Sequence, residues 1–161
     1  MKTFYNLINK LSLWGAYLSS LLLISLVLLI LTEVFIRYFF DMSTMIADEY
    51  SGYLYLAAIF LGLAYTFNED AHIRINILTS KVNKKANKFI DILAGLITII
   101  ILAFALYRTI LFTFDSYEME MLSEGVSATP LYLTQLAMPF GISLFILAVL
   151  VFVMKGLKND N

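Results

Sequence analysis

The sequence predicts an all-α integral membrane protein with four transmembrane helices. Of its 161 residues, 61% are hydrophobic and 14% are charged. Four apolar runs are each long enough to cross a bilayer, at about residues 11–36, 50–67, 89–114 and 131–154. A hydrocarbon core about 30 Å thick needs about 20 helical residues, and helices there satisfy every backbone polar group internally. We expect one membrane domain over residues 1–161.

The predicted helices begin and bend at ordinary sequence signals. Asp48 and Glu49 fall in the first turn of the second helix, where acidic side chains favour the positive end of the helix dipole. Thr129 and Pro130 are predicted as the N-cap and first residue of the fourth helix. Pro139 predicts a kink within that helix, because proline lacks a backbone N–H.

The connection between the second and third helices is too polar to span a membrane. Over residues 71–88, apolar side chains recur at helical spacing opposite basic ones. This pattern predicts an interfacial amphipathic helix lying on the membrane surface. A solvated loop is the alternative.

The distribution of basic residues predicts the orientation of the chain. Lysine and arginine precede the first helix, occupy the second connection and follow the fourth helix. The first and third connections are acidic, with Arg37 beside the first and Arg108 near the same predicted outer end. Because basic residues remain on the cytoplasmic side, we expect both termini to be cytoplasmic.

The first three helices each carry a stripe of small or polar residues on an otherwise apolar surface. The stripes include Gly15 and Ser19 on the first helix, Gly62 on the second and Gly95 on the third. Lipid provides no hydrophobic force between helices, so helices associate closely through small residues. The stripes are expected to pack within the chain or to dock a partner.

Three ionisable residues fall near the outer ends of the apolar runs. Glu33 and Arg37 are one helical turn apart and can pair, and Arg108 reaches a similar depth on the third helix. Ionisable residues inside membranes are costly and are candidates for function. We predict a structural charge cluster of Glu33, Arg37 and Arg108, with an ion or proton path as the alternative.

The sequence offers no pattern for catalysis or for binding a cofactor. His72 is the only histidine and there is no cysteine, which removes thiolate metal sites and paired histidine ligands for haem. The net charge is −1, and the basic residues form no single face for nucleic acid. We therefore expect no enzyme activity, cofactor, metal site or nucleic-acid partner, and contact with membrane lipids.

Residues 37–77 resemble the small membrane (Q-type) subunit of tripartite ATP-independent periplasmic (TRAP) transporters. The resemblance is carried by Arg37-Tyr38, Asp48-Glu49, Tyr53, Gly62 with Ala64, His72-Ile73-Arg74-Ile75, and residues 127–141 with Pro139-Phe140-Gly141. Length, helix number and termini match along the whole chain. The chain departs from the family at Ile46, where tryptophan is frequent nearby, and at Glu69-Asp70, where small or basic residues are common.

The resemblance implies an accessory subunit of a sodium-coupled importer in a bacterial inner membrane. In that family a large elevator-type permease holds the substrate and sodium sites. A periplasmic binding protein captures an organic acid, such as a C4-dicarboxylate or sialic acid, and the small subunit supports the scaffold of the large one. Candidates for contact with the large subunit are then Asp48, Glu49, Tyr53, Gly62, His72, Arg74, Gly95, Pro139 and Gly141.

Two other classes of protein stay open. A self-contained dimeric transporter could use Glu33 as its proton site, but it would need that residue near the midplane, and counting from residue 11 places it near the outer end. A membrane anchor of a redox enzyme would need haem or quinone ligands, which one histidine and no cysteine scarcely provide.

Overall fold

The computed structural model describes residues 2–69 and 84–158, with side chains from residue 5 and between residues 86 and 157 in the second range. These residues form five helices: α1 (Lys2–Phe40), α2 (Ala47–Asn68), α3 (Lys84–Glu118), α4 (Leu131–Gln135) and α5 (Ala137–Lys158). The described ranges contain no strand, and one isolated antiparallel bridge joins Leu122 and Pro130.

Four helical segments are long and apolar enough to cross a membrane. They are Tyr5–Phe40, Ala47–Asn68, Ala86–Glu118 and Leu131–Leu157, the last comprising α4 and α5. The predicted all-α class with four transmembrane helices is therefore confirmed. Most of the predicted interfacial helix, with His72 and Arg74, lies outside the described residues.

Helices α1 and α3 are longer than the apolar runs within them. At about 1.5 Å of rise per residue, the 39 residues of α1 and the 35 residues of α3 give lengths of about 58 and 52 Å. Both helices therefore extend beyond the predicted apolar runs, 11–36 and 89–114, at each end. Hydropathy marks only the lipid-compatible part of a helix, whereas the flanking lysines and glutamates are good helix formers.

The helices are arranged as a row and not as a closed bundle. Helix α1 packs on α2, α2 packs on α5, and α5 packs on α3, with a smaller contact between α1 and α5. Across the described residues α1 and α3 form no packed interface with each other. Burial follows this order: 39% of the most apolar stretch of α4 and α5 is buried within the chain, against 11% for α1 and 6% for α3.

Small residues let α1 and α2 approach closely. A Cβ atom on Gly15 would lie 2.7 Å from the carbonyl oxygen of Leu61. The Ser19 hydroxyl donates a hydrogen bond of 2.6 Å to the carbonyl oxygen of Ala58, and a Cβ atom on Gly62 would lie 3.1 Å from Ser19 Oγ. The stripes on α1 and α2 thus meet each other within the chain, which is close packing through small residues.

The fourth membrane span is interrupted at Leu136, between α4 and α5. Pro139 explains the interruption, because it offers no N–H to the carbonyl of Gln135 and its ring crowds that carbonyl. Two residues later, a Cβ atom on Gly141 would collide with the backbone carbonyl of Phe60 on α2. The interrupted segment therefore lies where α5 and α2 pack backbone to backbone.

Helix α4 begins one residue later than predicted. Pro130, with φ −60° and ψ 118°, is the capping residue, and no side-chain hydrogen bond caps the helix. The prediction of Thr129 as N-cap was wrong. Its hydroxyl instead shares hydrogen bonds with the hydroxyls of Tyr50, at 3.0 Å, and Ser127, at 2.7 Å.

Candidate functional site

Two loops meet at one end of the helices, which we call the loop end. Residues 41–46 connect α1 to α2, and residues 119–130 connect α3 to α4. The opposite end, where α1 begins and α5 ends, we call the terminus end. At the loop end two carboxylates, Glu33 and Glu49, each hold one of the loops.

Glu33 is buried on α1 with 6% of its side chain exposed, and it accepts hydrogen bonds from the first loop. Its Oε1 atom accepts from Ser43 Oγ at 2.7 Å and from the backbone N–H of Thr44 at 3.2 Å. Its Oε2 atom accepts from the hydroxyl of Thr44. A buried carboxylate is tolerated only where donors compensate for its lost hydration, and this loop supplies most of them.

The first loop needs such support because two of its residues are in the left-handed region. Asp41 has φ of 51° and Met45 has φ of 56°, and this conformation costs a non-glycine residue about 1–2 kcal/mol. Ser43 and Thr44 lie between them. Their hydrogen bonds to Glu33 therefore fix the part of the loop with the least favourable backbone.

Arg37 joins Glu33 to the start of α2. Its Nε atom donates to Glu33 Oε1 at 2.7 Å, and its Nη2 atom lies 3.5 Å from Asp48 Oδ2. The Arg37 side chain is 49% exposed and that of Asp48 is 82% exposed. Exposed ion pairs contribute little to stability, so the contact with Glu33 is the stronger of the two.

Glu49 holds the second loop from the first turn of α2. Its Oε1 atom accepts from the hydroxyl of Tyr53 at 2.9 Å, and its Oε2 atom accepts from Ser127 Oγ at 2.8 Å. Gly125 packs so closely on this carboxylate that an added Cβ atom would collide with it. The second loop therefore rests on the same helical turn that Arg37 contacts through Asp48.

An open cleft lies between α2 and the second loop. Its volume is about 720 Å³, and its lining includes the acidic residues Asp48, Glu49 and Glu124 together with Tyr53 and Leu131. Among the described residues no group of three or more histidine, cysteine or acidic side chains could hold a metal ion. Glu49 accepts hydrogen bonds from Tyr53 on its own helix and from Ser127 in the second loop. These bonds fix the position of its carboxylate, which indicates a structural role.

The structure does not bring Arg108 to Glu33. Arg108 is exposed on α3, while Glu33 accepts its hydrogen bonds from Arg37, Ser43 and Thr44. The predicted three-member cluster is therefore a pair in the described structure. The reason is the order of the helices, since α3 and α1 lie on opposite sides of α2 and α5.

The predicted motif glycines face helices of this same chain. Gly62 lies against Ser19 on α1, and a Cβ atom on Gly95 would lie 2.5 Å from Val153 Cγ2 on α5. Gly52, by contrast, has nothing within 4 Å of an added Cβ atom. The free surface of α2 therefore lies on the side of Gly52, where Tyr55 is 55% exposed.

Sequence reasoning missed the loop hydroxyls that bind the two carboxylates. Ser43, Thr44 and Ser127 are ordinary loop residues in composition. The available signal was their position in short loops close to Glu33 and Glu49. The pairing also depends on the left-handed residues beside them, such as Met45 and Ala128, which no spacing rule predicts.

Comparisons with known proteins point to one family. The family described as tripartite ATP-independent periplasmic transporters, DctQ component, matches residues 26–159. A Haemophilus influenzae protein named as a TRAP transporter small permease protein is 26% identical over 117 residues, which cover 73% of this chain and 71% of that protein. The resemblance drawn from residues 37–77 is thereby confirmed.

A second Haemophilus influenzae protein of the same name is 34% identical over 82 residues. The aligned part covers 51% of this chain and 49% of that protein, so the match spans about half of that relative.

Proposed function

This chain belongs to the DctQ-component family of tripartite ATP-independent periplasmic transporters, and on that premise we propose that it is the accessory small subunit of a sodium-coupled organic-acid importer. The members of this family are transporter components and not enzymes. In the proposed complex, a large permease subunit carries the substrate and sodium sites. A periplasmic binding protein delivers the organic acid.

The observation that carries the accessory role is the arrangement of the helices in a row. A row leaves α1 and α3 as edges with broad apolar faces, and 11% and 6% of their most apolar stretches are buried in the chain. Of the buried polar side chains, Ser12 lies towards the terminus end, and four lie towards the loop end: Glu33, Thr113, Ser116 and Gln135. Near the middle of α1, the Ser19 hydroxyl is bonded to Ala58. The described residues thus provide surfaces for packing and no path of polar groups across the membrane.

The proposed role is to support the fixed scaffold of the large subunit. Helices of about 58 and 52 Å exceed a hydrocarbon core of about 30 Å, so α1 and α3 tilt or extend beyond it. A rigid, tilted helix at each edge is suited to supporting a larger membrane protein packed beside it. Within the chain, Glu33 holds the first loop to α1 and Glu49 holds the second loop to α2, and these contacts make the supporting helices more rigid.

The proposed location is a bacterial inner membrane with both termini in the cytoplasm. The basic residues of the described ranges lie mainly at the terminus end, which includes Lys10, Lys88 and Lys155. The positive-inside rule assigns that end to the cytoplasm. The loop end, with its two acidic loops, then faces the periplasm and the binding protein.

Reconstituted transport tests the accessory role directly. Proteoliposomes would contain this chain, a large permease of the same transporter family, or both. They would be given a binding protein, radiolabelled C4-dicarboxylate or sialic acid, and an inward sodium gradient. We expect uptake only with both membrane proteins and only with sodium. Uptake by this chain alone would overturn the proposal and favour a self-contained transporter.

A further inference from the structure

A second cavity lies at the terminus end, away from the two carboxylates. Its volume is about 180 Å³, and α1, α2 and α5 each contribute to its wall. Its polar lining comes from Tyr5, Asn68 and Lys155. We call it the terminal cavity, and nothing in the family assignment gives it a role.

Lys155 is an exposed residue that lines the terminal cavity and contacts Tyr5. Its Nζ atom lies 3.6 Å from the centroid of the Tyr5 ring, a cation–π contact. An ammonium group has three N–H donors, and the ring face occupies one direction. A hydrogen bond to the Tyr5 side chain uses one donor, so at most two donors of Lys155 are available to an acceptor in the cavity.

Asn68 provides a second donor on the opposite wall. Its Nδ2 atom donates to Asn9 Oδ1 at 3.3 Å, which uses one of the two N–H groups of the amide. The floor between these polar groups is apolar, with Ala148 1% exposed and Val151 8% exposed. The cavity therefore combines a fixed cation and an amide donor with an apolar base.

We propose that the terminal cavity binds a phosphate group, as presented by a phospholipid headgroup in the leaflet at the terminus end. At about 30 Å³ per water molecule, the cavity holds about six water-sized groups, enough for the five heavy atoms of a phosphate. Basic pockets between transmembrane helices are suited to such headgroups. The apolar floor then contacts the start of the acyl chains.

The membrane supplies this ligand at high local concentration, which favours a lipid over free phosphate. Glu69, which follows Asn68, is close enough to interact electrostatically with the Tyr5 hydroxyl. Its carboxylate opposes an anionic ligand and tunes the affinity. The proposal does not depend on the transport partner, and only the identity of the leaflet, cytoplasmic in the proposed topology, rests on the proposed function.

Native mass spectrometry of the full-length chain, released from detergent, tests the site. The probes are dioleoyl phosphatidylglycerol, dioleoylglycerol, which has the same chains without phosphate, and inorganic phosphate as competitor. We expect phosphatidylglycerol to bind more tightly than dioleoylglycerol. Lys155→Met should weaken that binding about fivefold, the usual effect of one lysine at an anionic surface, and Glu69→Gln should strengthen it.

The matched control is Lys10→Met, which removes an exposed charge on α1 outside the cavity and should leave binding unchanged. Asn68→Leu gives a second variant that removes the amide donor and should also weaken binding. Displacement of the lipid by millimolar inorganic phosphate would assign the site to free phosphate, and no displacement would assign it to the headgroup. Equal phosphatidylglycerol binding by the parent, Lys155→Met and Asn68→Leu would overturn the proposal.

Discussion

Glu49 in the first turn of α2 accepts a hydrogen bond of 2.8 Å from the hydroxyl of Ser127, which lies 78 residues later in the chain. This contact closes the second loop on the same helical turn that Arg37, on α1, contacts through Asp48. The first turn of α2 therefore contacts both the second loop and the end of α1.

Removal of the Glu49 charge should loosen the second loop. Hydrogen bonds to a charged group contribute about 1.5–3 kcal/mol each, and Glu49 accepts two from Tyr53 and Ser127. Glu49→Gln should lower the free energy of unfolding by about 1–3 kcal/mol, as measured by chemical denaturation in detergent. The control is Glu118→Gln, an exposed change expected to have little effect, and equal stability of Glu49→Gln and the parent would contradict the clamp.

Truncation of Glu33 and truncation of Arg37 should lower the stability of the chain by different amounts. Glu33 is 6% exposed, and it accepts from Ser43 and Thr44 as well as from Arg37. Glu33→Ala should therefore lower the free energy of unfolding by about 3–5 kcal/mol, because Ser43, Thr44 and Arg37 all lose a charged acceptor. Arg37→Ala should lower the free energy of unfolding by about 1–2 kcal/mol. The loss is smaller because Glu33 still accepts hydrogen bonds from the first loop and because Arg37 is half-exposed.

Arg108→Gln completes this series, and it should change the free energy of unfolding by less than about 0.5 kcal/mol. The same denaturation measurement applies to all three variants. A loss at Arg108 as large as that at Arg37 would mean that the two arginines share Glu33 after all. The proton-path alternative has its own test: Glu33→Gln should retain sodium-driven uptake per assembled complex.

The residues changed in these variants also show which parts of the structure could be predicted from the sequence. The number of membrane spans follows from hydropathy, because only helices of sufficient apolar length can cross a bilayer. The contact between Glu33 and Arg37 follows from their four-residue spacing on one helix. The position of Arg108 relative to Glu33 depends on the order in which helices pack, and single-sequence periodicity does not contain that order.

The loop contacts were beyond prediction for a different reason. Ser43, Thr44 and Ser127 bond to their carboxylates beside Met45 and Ala128, which take left-handed backbone conformations. Such conformations are uncommon for non-glycine residues, so no sequence rule places them. The glycines show the same limit, since spacing put Gly62 and Gly95 on stripes but could not say that both face helices of this chain.

Alanine substitutions at two glycines should have opposite effects on stability. In a helix, Gly→Ala is intrinsically favourable by about 0.5–1 kcal/mol. Gly52→Ala should therefore stabilise the chain slightly, because nothing lies within 4 Å of the new methyl group. Gly141→Ala should destabilise it by about 1–3 kcal/mol, because the methyl group would collide with the backbone carbonyl of Phe60.

Thermal or chemical unfolding of the two purified variants beside the parent measures this difference. Because both changes add one methyl group to an α-helix, each serves as the control for the other. A stabilising Gly141→Ala would show that α2 and α5 do not approach as closely as the structure indicates. Uptake by the assembled complex should fall with Gly141→Ala in proportion to the amount of complex formed.

Cysteine labelling in intact cells tests the proposed topology, and the absence of native cysteine removes any background. Ser127 and Ser43 are poor probes because both donate hydrogen bonds to the carboxylates. Val126 is 70% exposed in the second loop, and Leu157 is 60% exposed near the end of α5. The structure therefore favours Val126→Cys and Leu157→Cys.

A membrane-impermeant maleimide, applied after the outer membrane is permeabilised, should label Val126→Cys while the inner membrane is intact. Leu157→Cys should react only after the inner membrane is also disrupted if, as the positive-inside rule predicts, the basic terminus end is cytoplasmic. Labelling of both proteins after complete lysis controls for expression and for thiol reactivity. The reverse pattern would place the acidic loops in the cytoplasm, and the loop end could then not face a periplasmic binding protein.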